Sequence, residues 1–152
     1  MSALFRNPLF RFINQFNQYT AVTDYLKDPL LLVARLYVAQ IFFLAGLTKL
    51  RDWDTTLYLF ESEYQVPLLP YELAAWLGTF GEVVLPVLLV AGLLTRVAAF
   101  GLGIVNVVAV VSLAEIAPAA LQQHYLWAAL LLGILVTGGG RLTLDRLLQQ
   151  HH

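Results

Sequence analysis

Apolar residues run along this chain in four long blocks, at about 30–50, 71–94, 97–116 and 121–137, separated by short polar or proline-bearing breaks. Each approaches the roughly 20 residues a helix needs to cross a hydrocarbon core of about 30 Å. The pattern predicts an all-α fold, an integral membrane four-helix bundle forming a single domain over 1–152. Upstream, Phe5, Leu9, Phe12, Ile13 and Phe16 recur at helical spacing between Arg6, Asn7, Arg11, Asn14 and Gln15. That spacing predicts an N-terminal amphipathic helix lying in the membrane interface within 1–28.

The breaks carry their own signals. Asp28-Pro29 reads as an N-cap followed by proline at the first helical position, so the first span is expected to begin there. In the long first connection, Asp54 is expected to cap a short helix bearing Leu57, Phe60 and Tyr64 on one face, before Val66-Pro-Leu-Leu-Pro70 resets the chain. This connection is the expected lid or docking surface. Leu94-Thr-Arg96 permits only an antiparallel hairpin. Gly138-Gly-Gly140 reads as a helix stop, followed by a short helix from Thr143 to Gln150 within a tail at 138–152. His151 and His152 end the sequence and are assigned no role. Small residues at Ala45-Gly46, Ala74 and Gly78, and Ala99 and Gly103 offer the close faces that helices need in lipid.

Composition agrees with a membrane location: 59% of residues are hydrophobic and 12% charged. The chain has no cysteine, which removes disulfides, thiolate metal sites and thiol relays. Redox work would therefore depend on a cofactor or a partner. A formal net charge of −1 without a clustered basic face gives no reason to expect a nucleic-acid partner. Four spans put both termini on one side, which collects Arg6, Arg11, Lys27, Arg35, Arg96, Arg141 and Arg146, against Lys49 and Arg51 on the other. The positive-inside rule then places both termini in the cytoplasm.

Candidate chemistry centres on Glu82, a carboxyl group inside the second apolar block. Such a group is costly in a bilayer and needs a partner or a use. Counting at about 1.5 Å per residue puts Gln40, Glu82 and Asn106 near one level. Pro86, four residues after Glu82, cannot donate to the Glu82 carbonyl. Two readings fit. In one, Glu82, Gln40, Asn106, Trp76 and Arg35 contribute to a mid-membrane ligand pocket. In the other, Glu82 is neutral and donates to Gln40 or Asn106 in a packed hydrogen-bond cluster. Arg35 alone is expected to snorkel to the head groups, and Lys49 and Arg51 to anchor at the interface. His124 and Glu115 make a weak metal signal, and no metal is expected.

Several segments resemble, in order and spacing, the DoxX family of small bacterial four-helix membrane proteins. They are Arg35-Leu-Tyr-Val-Ala-Gln-Ile-Phe-Phe-Leu-Ala-Gly-Leu-Thr-Lys-Leu50, Val66-Pro67, Gly81-Glu82, Gly92-Leu-Leu-Thr-Arg96 and the ending Gly138-Gly-Gly-Arg-Leu-Thr-Leu-Asp145. The family is related to the DoxD subunits of thiosulfate:quinone oxidoreductase, and the longer loop at 52–70 resembles a branch encoded beside small metal-stress peptide systems. The resemblance implies a multi-pass protein of the bacterial inner membrane, with no agreed catalytic residues to transfer. It implies an accessory subunit that couples a partner oxidoreductase to the quinone pool more than a self-sufficient enzyme, with a quinone as the candidate ligand and no covalent cofactor. The alternatives are a membrane scaffold for a peptide-modification or metal-stress enzyme, or small-molecule or proton transport. A homodimer is compatible with any of these.

Overall fold

The computed structural model describes the backbone of residues 8–150 and side chains from Tyr25 onward. Its helices are α1 (Pro8–Arg51), α2 (Trp53–Ser62), α3 (Tyr71–Ala91), α4 (Thr95–Val111), α5 (Pro118–Thr137) and α6 (Leu144–Gln149). Among the described residues there is no strand, only an isolated bridge between Tyr64 and Leu113. Tyr25–Arg51, Tyr71–Ala91 and Pro118–Thr137 are long and apolar enough to cross a membrane, and α4 is a shorter apolar helix of 17 residues.

The stripe on α1 shows how the sequence selects its packing face. Arg35, Val38, Ala39, Phe42 and Gly46 are buried at intervals of three and four, while Leu36, Tyr37, Gln40 and Leu44 point outward. Residues so spaced share one helix face. α1 packs on α3, α3 on α4, α4 on α5, and α5 returns to α1. Val38, Phe42, Leu89, Ala98, Leu102, Leu131 and Ile134 fill the centre of this ring. Lipid gives no hydrophobic push between such helices, so close approach must supply the attraction. Gly46 provides it: a Cβ there would lie 2.8 Å from Val83 Cγ2 and 3.0 Å from Glu82 Cβ.

α2 folds back against α3, where Phe60, Ala74 and Ala75 form a second small core. Its cap is Asp52 and not Asp54. The Asp52 carboxylate accepts the Thr55 backbone N–H at 3.0 Å and the Thr55 hydroxyl at 2.7 Å. Those bonds hold the exposed Asp52 carboxyl below the usual carboxylate range. Thr56 then donates its hydroxyl to the Lys49 and Asp52 carbonyls, closing the end of α1.

Other expected boundaries differ too: α3 ends at Ala91 and not at 94, and α5 begins at Pro118 and not at 121. α1 does not start at Asp28-Pro29 but passes through it as one helix. Asp28 is drawn into a tertiary contact instead, accepting the Arg141 backbone N–H at 2.8 Å. The expected amphipathic face from Phe5 to Phe16 falls outside the described side chains, and His151 and His152 lie outside the described residues. α4 stops at Val111, five residues before the expected end. There the Ser112 N–H and hydroxyl both return to the Val108 carbonyl, and Gln65 N–H takes the Ser112 carbonyl at 2.8 Å. The loop after α2 thus competes for the backbone that would have continued the helix.

Candidate functional site

Glu82 sits eleven residues into the 21-residue α3, so it lies about 16 Å from the start of a helix about 31 Å long. Its face turns toward α1 because Gly46 lets that helix come within contact of the Glu82 backbone. Pro86, also buried, leaves the Glu82 carbonyl without its helical donor. Lys49, one turn beyond Gly46, directs Nζ back along the groove to Glu82 Oε2 at 2.5 Å. The side chains are 22% and 10% exposed respectively. Lys49 is therefore not an interfacial anchor; it is the partner of Glu82.

The other expected members of the pocket go elsewhere. Gln40 faces outward on α1, six residues from Gly46, because the α1–α3 register runs through Gly46 and places Gln40 on the opposite face. Trp76 is also exposed and packs against Trp53, the rings tilted at 43° with centroids 4.3 Å apart. Asn106 is buried near the Glu82 level, as Gly81 packing on Val105 requires. Its amide is committed to α5, donating to the His124 carbonyl at 3.1 Å and meeting His124 Nδ1 at 2.8 Å. Neither Gln40 nor Asn106 receives a hydrogen bond from Glu82.

Arg35 corrects the snorkelling expectation most sharply. It is fully buried at the far end of the bundle, donating to the Leu142 carbonyl at 2.6 Å and to the Leu89 carbonyl at 3.4 Å. The segment after α5 folds over it and supplies an acceptor that head groups would otherwise have provided. Gly92 makes room: its φ is +67°, and a Cβ would fall 2.5 Å from an Arg35 nitrogen and 2.7 Å from Thr143 Cα. Arg35 therefore serves the C-terminal end of α3, and Glu82 its middle.

Two other side chains carry buried donors without a partner among the described residues. Thr79, one turn before Glu82 on the same face, has a hydroxyl without a hydrogen-bond partner among the described residues. The Trp127 indole N–H is likewise unmatched, with its ring against His124 and Phe42.

The family model for DoxX matches residues 30–115, which carry α1 from Leu30, all of α2, α3 and α4, and both members of the ion pair. The chain belongs to the DoxX family. It is a DoxX membrane protein whose matched region contains Lys49, Glu82 and Thr79, while α5 and the Arg35-covering turn lie beyond the match. No curated protein and no solved structure matches the chain. In this DoxX protein the partner of Glu82 is Lys49, 33 positions away in the chain. The small pair Ala45-Gly46 was the available signal, since it marks where α1 can meet another helix.

Proposed function

We propose that this DoxX protein is a membrane subunit that holds a quinone-class ligand at the Lys49–Glu82 pair and serves a partner oxidoreductase at the bacterial inner membrane. The ion pair carries the reading. Two apolar side chains of similar size would hold α1 to α3 at least as well as a buried charge pair does, and ionisable groups inside spans mark ligand or proton paths. The Lys49 ammonium and Thr79 hydroxyl can donate to carbonyl oxygens. Glu82 can pass on the protons taken up when a two-electron carrier is reduced with electrons from the partner.

Titration of the purified protein in nanodiscs with a short-chain ubiquinone tests this through quenching of its three tryptophans. Saturable quenching is expected, weakened about tenfold in Glu82→Gln and in Lys49→Met, the equivalent of one lost charge-assisted contact. Non-saturable quenching, or equal affinity in all three proteins, would rule the site out.

A second reading gives the α2–α3 connection the main role, as the dock for a peptide-modification or metal-stress enzyme. Leu68, fully exposed with φ +67° beside exposed Leu69, favours it. Scrambling residues 62–70 should then abolish co-purification of the partner while Glu82→Gln leaves it intact; persistence after scrambling excludes the dock.

A further inference from the structure

The end of the bundle opposite α2 holds an open cleft of about 820 Å³, bounded by α1, the start of α4, the turn after α5 and α6. Lys27, Arg96, Arg141 and Arg146 line it against Asp28 and Asp145. We propose that this cleft binds the phosphate of an anionic phospholipid headgroup.

The four cations outnumber the two carboxylates, whose oxygens are taken up by contacts within the protein. Asp28 accepts the Arg141 N–H at 2.8 Å and stands 4.0 Å from the Arg141 side chain, a loose pair in which that side chain is 77% exposed. Asp145 accepts the Leu94 N–H at 2.7 Å, the Thr95 N–H at 2.9 Å and the Thr95 hydroxyl at 2.7 Å. Arg96 lines the cleft over the turn at Gly138, and its one hydrogen bond among the described residues is the 3.3 Å bond to the Val136 carbonyl. Arg146 is exposed and has no ion-pair partner among the described residues.

Three guanidiniums around one opening match the fork geometry that recognises phosphate oxygens. A lipid and a soluble phosphate share that chemistry, and the surroundings favour the lipid. Exposed Leu94 and Val97 line the same opening, and exposed Val136 stands beside it, giving acyl chains an apolar wall directly above the charges. The cleft also lies at the cation-rich end of the spans, where the positive-inside bias places the anionic cytoplasmic leaflet.

The test uses the full chain in detergent, with native mass spectrometry and thermal unfolding. Phosphatidylglycerol and phosphatidylcholine with identical acyl chains are compared, with millimolar inorganic phosphate as a separate arm. Phosphatidylglycerol should be retained preferentially and raise the unfolding midpoint. The R96Q/R141Q/R146Q variant should lose at least about tenfold of that preference, given the contribution of each cation beside an anionic lipid surface. If the triple variant does not fold, R141Q/R146Q, which alters exposed side chains, is read in the same way. Equal retention of the two lipids, or a preference unchanged in the variants, overturns the proposal. A midpoint shift reproduced in full by inorganic phosphate overturns the lipid as the source.

Discussion

Two charged residues on different helices, Lys49 and Glu82, define the interior chemistry of this DoxX protein. Neither could be paired from its own neighbourhood in the chain. Removing one partner of a mostly buried pair leaves the other charge in a poor environment, whereas replacing both can be nearly neutral. Lys49→Met alone is expected to lower stability by about 2 kcal/mol, a value kept below the fully buried range because Lys49 retains some exposure. Lys49→Met combined with Glu82→Leu should recover most of the loss, as read from thermal unfolding in detergent. A double variant weaker than the single would show that the pair itself holds α1 to α3. Arg35 follows the same logic with neutral acceptors, since carbonyls of Leu89 and Leu142 receive its guanidinium.

The helices were legible as elements because apolar length and proline or glycine breaks are local properties. Their ends were less so, because caps are chosen by whichever partner the fold delivers. α4 is the clearest example. Its first residues find no cap in their own segment; Leu94 and Thr95 are capped by Asp145, some 50 residues away. Partial burial would raise the Asp145 pKa, but the Thr95 backbone and hydroxyl bonds, the Leu94 N–H and the Arg35 charge together hold it below the ordinary range. A depressed folded-state pKa stabilises the fold above the ordinary carboxylate value, and that contribution is lost as pH falls through the folded one. Asp145→Ala should therefore cost about 1 kcal/mol at neutral pH. The gap between wild type and variant should begin to narrow below about pH 4 and go on narrowing as pH falls further, as followed by helical circular dichroism. A gap independent of pH would remove the ionised cap from the account.

Across the whole molecule, hydrophobic periodicity and composition determined by themselves that the chain is helical and apolar enough for a membrane, and the ordered motifs determined the family. The candidate carboxyl, Glu82, was also visible, since a charge within an apolar block stands out without any structure. The shared level of Glu82 and Asn106 was within reach of counting along helices. Their partners were not. Which face of α1 turns inward depends on where Gly46 meets α3, and that register put Gln40 outside and Lys49 inside. Whether Arg35 meets head groups or protein depends on the turn from Gly138 to Asp145 folding back over it, a contact spanning 107 positions. Sequence fixes periodicity and charge because these are carried by neighbouring residues. Pairing between distant helices is decided by rotation and register, which only close packing in three dimensions selects.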